Sequence, residues 1–202
     1  MSEFCIENLP RLLADQISKV KEMFSHVEEE VLAQSSKYHL EIKQSLQMAF
    51  KLLNCQLKHQ SFDSLLSGST LTVILIYKEF IYTANVGDST ALLMKMKKGH
   101  SSFEGEPFQL SVDHKPHDFS ERQRIERQRG EVKQVVNSRD GKASGVYRVW
   151  LKDKDFPGLA MSRSIGDKLA HTVGVISVPG RINTFLIILY RCDDLQAKPR
   201  GL

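Results

Sequence analysis

The chain has 202 residues, of which 41% are hydrophobic and 26% charged, and its net charge is +4. This length suits one domain with a full hydrophobic core, and the composition excludes wholesale disorder. The basic residues are mostly interleaved with acidic ones, which gives little support for a nucleic-acid partner. The sequence therefore predicts a globular protein that binds neither DNA nor RNA.

The cysteines and the apolar runs indicate where the protein resides. Cys5, Cys55 and Cys192 are widely spaced and form no CxxC pair, so neither a disulfide framework nor a zinc site is predicted. The N-terminus carries acidic residues and no long apolar core, unlike a secretory signal. The longest apolar run, 185–190, is far shorter than the ~20 residues that span a bilayer. We expect a soluble intracellular protein, cytoplasmic or nuclear, with no membrane partner.

The first third of the chain has helical periodicity. Apolar residues recur at steps of three and four from Leu9 to Val27, and again from Ile42 to Leu57. Each pattern predicts a helix with one buried stripe. Two amphipathic helices this close in sequence are expected to lie side by side.

The period then changes to one typical of strands. Residues 70–77 form a continuous apolar, β-branched run that predicts a strand buried on both faces. Residues 80–86 and 90–96 predict two further strands after tight turns. Together they predict an antiparallel meander with Asp88 at one end.

The rest of the chain mixes shorter elements. We predict a loop at 97–107, a short and mostly exposed helix at 119–129, and strands at 131–136 and 145–150. Helices followed by a meander and then by mixed elements favour an α+β fold, with helices packed on an antiparallel sheet.

Three short segments carry candidate chemistry: PGLAMSRSIGD (157–167), ANVGDST (84–90) and SVDHKP (111–116). The first two place Asp167 and Asp88 directly after a glycine, in compact turns. A carboxylate in such a turn can point into a cleft and bind a hard cation. For Asp88 the alternative is a turn aspartate that satisfies its own backbone.

These segments, in this order, resemble the PPM family of metal-dependent protein phosphatases, the type-2C protein phosphatases. Further matching segments are SGST (67–70), ERQRI (121–125), RVW (148–150) and GVISVP (174–179), and the match runs from about Phe4 to Val178. The resemblance implies a β-sandwich flanked by helix pairs. It also implies hydrolysis of phosphoserine and phosphothreonine in phosphoprotein substrates by a water activated by two Mg²⁺ or Mn²⁺ ions.

The resemblance also implies roles for individual residues. Asp167 corresponds to a ligand of the catalytic metal pair, and Asp88 to a ligand of an accessory metal. No catalytic or substrate-binding residue is assigned. His114 and His117 have H-x-x-H spacing, but Pro116 lies between them and the resemblance makes this segment a structural turn.

The chain departs from the family pattern near both ends. The family's phosphate-binding arginine and its metal-bridging DGHGG aspartate have no counterpart, and Gly180 stands where relatives have glutamate. The run 185–189 is not followed by the expected metal-binding aspartate-glycine pair, and Arg129 replaces the first glycine of a pair. We therefore expect residues 1–180 to form a truncated phosphatase domain, residues 181–202 a divergent tail, and turnover to be little or none.

Two other interpretations stay open. The chain could be a non-catalytic pseudophosphatase or fragment that acts as a protein-interaction module and binds phosphatase partners. It could also be a partial or mis-spliced reading frame with the tail from Gly180 out of register. In a truncated domain, strand edges beside 70–77 would be unpaired, which favours aggregation or pairing with another chain.

Overall fold

A computed structural model of the protein describes residues 1–96, 103–136, 142–180, 182–186 and 198–199. The helices are α1 (Ser2–Met23), α2 (Glu29–Gln34), α3 (Ser36–Gln56), α4 (Phe119–Arg127) and α5 (Lys168–His171), with a 3-10 turn at Leu57–His59. The strands are β1 (Gly68–Ser69), β2 (Leu71–Tyr77), β3 (Phe80–Val86), β4 (Leu92–Met96), β5 (Phe103–Gln109), β6 (Gly130–Val136), β7 (Ala143–Leu151), β8 (Pro157–Leu159), β9 (Ile165–Gly166), β10 (Asn183–Leu186) and β11 (Lys198–Pro199). Within the described residues, no helix combines the length and apolar character that crossing a bilayer requires.

The two long helices α1 and α3 pack side by side, as predicted. The apolar stripe of α3 is fully buried and consists of Ile42, Leu46, Ala49, Phe50 and Leu53. Ser35 caps the start of α3, because its Oγ accepts a hydrogen bond of 3.2 Å from the backbone N–H of Tyr38. The main hydrophobic core therefore lies between this helix pair and the sheet.

The largest sheet has the order β11–β10–β3–β2, and all its pairs are antiparallel. Strands β2 and β3 form the predicted hairpin, in register from Leu71 opposite Val86 to Tyr77 opposite Phe80. Every residue of β3 is buried. Strand β10 pairs with β3, so residues 183–186 belong to this sheet. The division at residue 180 stays a prediction.

Strand β2 is not buried on both faces, so that prediction is wrong. The side chains of Ile74 and Ile76 are 47% and 66% exposed, while Leu71, Val73 and Leu75 pack against the main core. Within the described residues, β2 is the outermost strand of its sheet. Strand β3 is buried on both faces instead, because Tyr82 and Ala84 pack in the main core while Ile81 packs with Ala91 and Leu110.

The predicted three-stranded meander is also wrong, since β4 pairs with β5 and not with β3. The chain leaves the sheet after β3 because its backbone forms hydrogen bonds with residues 111–114. The N–H of His114 donates to the Gly87 carbonyl at 3.0 Å, and the N–H of Ala91 donates to Ser111 Oγ at 2.8 Å. Part of the predicted loop is strand β5, and residues 97–102 lie outside the described ones. Gly105 and Pro107 disfavour a strand locally, and the pairing with β4 overrides them.

A third sheet, β6–β7–β8, includes both strands predicted in this region. Helix α4 packs on β6 and buries Ile125 together with Val132 and Val149. The helix is exposed on most sides, as predicted, and its buried side carries Glu121 and Ile125. Residue Arg129 ends the α4 turn in the left-handed region (φ 63), where glycine is favoured.

Candidate functional site

Asp167 lies on a tightly constrained piece of backbone. It follows β9, which pairs with β1 so that Gly166 is opposite Gly68. Its φ and ψ of 45° and 44° are left-handed, an unusual conformation for a residue with a Cβ. Its N–H donates a hydrogen bond of 2.9 Å to the Ser67 carbonyl. The backbone therefore fixes where the carboxylate points.

The carboxylate of Asp167 is buried and incompletely satisfied. The residue is 7% exposed, and Oδ2 has no hydrogen-bond partner. Burial raises the pKa of Asp167, and the nearby Ser164 hydroxyl partly opposes this shift. The geometry between the Ser164 hydroxyl and the carboxylate does not meet the criteria for a hydrogen bond. The carboxylate lies so close to Gly68 that a Cβ there would collide with Oδ2. Such an orphaned buried acceptor is typical of a ligand position.

Asp88 has a different environment. Its Oδ2 is 2.7 Å from Lys115 Nζ, and the Asp88 side chain is 30% exposed. The same ammonium lies 3.8 Å from Asp113, whose Oδ1 accepts a hydrogen bond from Thr90. The Asp88 carboxylate is therefore held by a lysine side chain. The alternative, in which the carboxylate binds the backbone of its own turn, is not what the structure shows.

Both aspartates lie near the same end of the β2–β3 hairpin. Gly68, against the Asp167 carboxylate, precedes Thr70 by two residues, and Thr70 Oγ1 accepts a hydrogen bond of 2.8 Å from Ser89. Within the part of the chain that the structure describes, no three His, Cys, Asp or Glu side chains form a potential metal-binding group. The fold thus brings the two predicted residues to one region without joining them into one cluster.

Glu121 is the main residue of this region that sequence reasoning missed. Its carboxylate accepts hydrogen bonds from Arg124 (2.9 and 2.8 Å) and from Arg163 (3.0 and 2.6 Å). Ser162 Oγ donates a further one of 2.6 Å. Burial opposes ionisation, but these donors outweigh it and hold the pKa of Glu121 well below its usual range. The network ties α4 to the segment that leads to Asp167.

A sequence signal for this network existed. On the exposed side of this helix, Arg122 and Glu126 form an ion pair at 2.7 Å. Glu121, however, is four residues before Ile125 and shares its helix face. Ile125 is the only apolar residue of 121–129, which marks the buried side of the helix, and the same periodicity places Glu121 there.

His114 connects two parts of the region and is 4% exposed. Its Nδ1 lies 3.2 Å from the backbone N and 3.1 Å from the O of Gly87, while its carbonyl accepts a hydrogen bond from the Ser162 N–H. Burial, assisted by Arg163, lowers its pKa to about 4, so the ring is neutral at physiological pH. His117 is 53% exposed beside Asp118.

The comparisons with known proteins establish the family. The family model described as Protein phosphatase 2C matches residues 2–181. The chain therefore belongs to the protein phosphatase 2C family, and the resemblance stated from its motifs is confirmed.

The curated relatives are longer than this chain. "Probable protein phosphatase 2C 65" of Arabidopsis thaliana is 33% identical over 181 residues, which cover 89% of this chain and 45% of the relative. "Probable protein phosphatase 2C 73" of the same plant is 40% identical over 121 residues, covering 60% and 30%. The chain thus spans less than half the length of these relatives.

Solved structures support the fold. A serine-threonine phosphatase 2C from Toxoplasma gondii superposes with a TM-score of 0.63 at 20% identity, covering 91% of this chain and 63% of that one. A sex determining protein of C. elegans superposes with a TM-score of 0.51 at 17% identity, covering 92% and 40%. The predicted α+β fold of PPM type is confirmed.

Proposed function

We propose that this chain forms the part of a metal-dependent protein serine/threonine phosphatase that contributes the Asp167 ligand of the metal centre. The observation that carries the proposal is the buried, unpartnered Oδ2 of Asp167, held on left-handed backbone against Gly68. A carboxylate left in this state costs free energy unless a cation or donor binds it. Membership of the protein phosphatase 2C family supports a divalent metal as that cation.

The donor set suits Mg²⁺ or Mn²⁺, since these hard cations prefer carboxylate oxygens. When bound, such ions lower the pKa of a coordinated water and stabilise charge on the transferred phosphoryl group. Asp167 would hold the metal, and its carboxylate occupies the space that a Cβ at residue 68 would fill. Asp88 would hold an accessory ion after exchanging its ion pair with Lys115.

The proposed substrates are phosphoserine and phosphothreonine side chains of phosphoproteins. Family membership and the serine-threonine phosphatase among the structural neighbours support this class. No phosphoenzyme is required by the mechanism, and a cysteine nucleophile is therefore not assigned.

We further propose that the 202-residue chain by itself turns over little or no substrate. Mg²⁺ dehydrates reluctantly and is usually held by several carboxylate or phosphate oxygens. Of the two candidate ligands, Asp88 is already neutralised by Lys115, which leaves Asp167 as the free carboxylate of the pair. One free carboxylate is too little negative charge to hold two divalent ions close together.

The test is hydrolysis of a phosphothreonine peptide by the purified chain with Mn²⁺ or with EDTA. We expect a hydrolysis rate close to background. Any Mn²⁺-dependent part of this rate should disappear in Asp167→Asn. It should persist in the control Asp15→Asn, which changes an exposed aspartate on α1. Turnover that persists in Asp167→Asn or in EDTA would contradict the metal role. Rapid Mn²⁺-dependent turnover would contradict the proposal of low activity.

A second candidate function is a non-catalytic interaction module. The exposed face of β2, with Ile74 and Ile76 side by side on the outermost described strand, favours it. This candidate requires no metal at Asp167, so Mn²⁺ binding distinguishes it from the phosphatase proposal.

A further inference from the structure

A cavity of about 500 Å³ lies at the opposite end of the β2–β3 hairpin from the candidate metal site. Its lining includes two lysines, Lys21 and Lys78, one carboxylate, Glu29, and the side chains of Phe24, Leu32, Tyr38 and Tyr77. The volume falls within the range of small-ligand pockets, ~300–1,000 Å³. Seven residues of strand separate the two ends of the hairpin, a distance of about 20 Å, so this cavity is independent of Asp167.

Ammonium groups lie over the aromatic rings of this cavity. Lys78 Nζ is 5.9 Å from the ring centres of both Tyr38 and Tyr77, and Lys21 Nζ is 5.5 Å from that of Tyr77. Lys37 Nζ is 6.0 Å from the ring centre of Phe24. These distances are typical of cation–π contacts, and they place positive charge beside apolar surface.

The charge around the cavity is unbalanced. Glu29 pairs with Lys78 at 2.9 Å, but the Glu29 side chain is 83% exposed. Among the described residues, the charged ones that line the cavity are Lys21, Lys78 and Glu29. An anion entering the cavity would therefore meet more positive than negative charge.

Lys78 has a positive φ, a backbone conformation that residues with a Cβ rarely adopt. The hairpin turn consists of Lys78 and Glu79, and Lys78 has φ 54. Two-residue hairpin turns favour glycine, asparagine or aspartate at positions with positive φ. A lysine therefore occupies this position at a conformational cost. Such strain is common at functional sites, which suggests a role for the Lys78 side chain.

We propose that this cavity binds an organic dianion that joins a phosphate or phosphonate group to an aromatic body. The anionic group contacts Lys78 and Lys21, since lysine binds phosphate as a point charge. The aromatic body packs against Phe24 and Tyr77. Glu29 holds Lys78 in the free protein, and the ligand replaces its carboxylate. The group could come from a small phosphate ester or from a phosphorylated aromatic side chain of a peptide.

The probe is phenylphosphonate, whose C–P bond a phosphatase does not hydrolyse, titrated calorimetrically into the metal-free 202-residue chain. We expect saturable binding that weakens about tenfold or more in Lys78→Gly. Glycine suits the turn, so this variant keeps the hairpin. Glu29→Gln removes the competing carboxylate and should tighten binding several-fold.

Two controls separate this site from other effects. Lys58→Gln removes one positive charge from an exposed position in the 3-10 turn, and Asp167→Asn alters the candidate metal site. Both should leave the affinity for phenylphosphonate unchanged. Equal weakening in Lys58→Gln and Lys78→Gly would show general charge attraction and overturn the proposal. So would loss of binding in Asp167→Asn, which would place the probe at the metal site.

Further ligands test the chemistry and the source. Inorganic phosphate, which lacks the ring, should bind more weakly than phenylphosphonate, and equal affinity would overturn the aromatic part of the proposal. A peptide containing phosphonomethylphenylalanine tests the peptide source: tighter binding than phenylphosphonate assigns the site to a protein ligand, and weaker binding assigns it to a small molecule. Absence of saturable binding by every probe would overturn the proposal altogether.

Discussion

Asp167 combines three features that rarely occur together in a residue with only a structural role. Its backbone is left-handed, its carboxylate is buried, and one carboxylate oxygen has no partner. Each feature costs free energy in the absence of a ligand. Functional sites commonly retain such costs because the strained group is needed for binding. We therefore expect Asp167 to lower the stability of the metal-free protein and to raise its affinity for a metal ion.

The first prediction concerns the stability of the metal-free protein. In metal-free buffer, Asp167→Asn should raise the free energy of unfolding by about 1–2 kcal/mol, because it replaces a buried carboxylate by a neutral group of the same shape. Urea unfolding measures the change, with Asp15→Asn as the control. A loss of stability in Asp167→Asn would show that the carboxylate is satisfied in the folded protein.

The second prediction concerns His114, which faces Gly87, Arg163, Glu121 and Arg124. Its pKa is about 4 when folded and about 6.5 in an unfolded chain. Between these values the unfolded state binds more protons, so the stability contribution is complete above pH 6.5 and falls as the pH drops toward 4. The loss amounts to at most about 3 kcal/mol.

Urea unfolding between pH 4 and 7 tests this prediction in the wild type and in His114→Gln. The variant should show a shallower fall in stability with acid. Part of the slope should remain, because burial also lowers the pKa of His171. Parallel pH profiles for the two proteins would mean that His114 does not titrate with a lowered pKa.

At the scale of elements, the Glu121 network connects helix α4 to the segment before β9. Arg163, besides binding Glu121, donates to the Val178 carbonyl at 2.9 Å, and Arg124 donates to the Gly174 carbonyl at 2.8 Å. The carboxylate thus organises two arginines that bind backbone carbonyls of residues 174–178. Because Asp167 follows this segment by a few residues, the network also orients the candidate ligand.

The third prediction follows from burial. Glu121→Gln leaves the partly buried guanidinium groups of Arg124 and Arg163 without their buried counter-ion and should reduce stability by about 3 kcal/mol. The matched control is Glu126→Gln, which removes the exposed partner of Arg122 on the same helix and should cost no more than about 0.5 kcal/mol. Thermal unfolding measures both. Equal effects would mean that the buried network contributes little.

The fourth prediction concerns strand β2. Its outer face exposes Ile74 and Ile76 beside backbone groups that no described strand pairs. Such a strand is prone to self-association. Ile74→Thr/Ile76→Thr should reduce the light scattering of concentrated solutions, since threonine keeps strand propensity while removing apolar surface.

The control for this experiment is Ile6→Thr, because Ile6 is 73% exposed but lies on helix α1. It should leave the scattering unchanged. A monodisperse wild-type monomer at high concentration would contradict the expectation for β2, as would an equal improvement from Ile6→Thr.

For the molecule as a whole, local sequence patterns predicted the helices and strands well but predicted less well which strands pair with each other. The stripes of α1 and α3 and the β2–β3 hairpin follow from periodicity and short turns, which are properties of adjacent residues. The pairing of β4 with β5 depends on hydrogen bonds of Gly87 and Ala91 with His114 and Ser111, which lie 27 and 20 positions further on. No local pattern contains that information.

The candidate site shows the same division. The glycine-aspartate turns identified Asp167 and Asp88, but only the fold shows that one carboxylate is unpartnered and that Lys115 holds the other. Burial of Glu121 could have been inferred from its helix face, whereas its pairing with Arg163 spans 42 residues of sequence. Long-range contacts therefore decide which acidic residues are free to bind a cation.

The central claim is that Asp167 binds a divalent metal, and Mn²⁺ binding measured by electron paramagnetic resonance tests it most directly. We predict that the 202-residue chain lowers the signal of free Mn²⁺, that Asp15→Asn does the same, and that Asp167→Asn loses most of the effect while remaining folded. Equal Mn²⁺ binding by wild type and Asp167→Asn would contradict the claim.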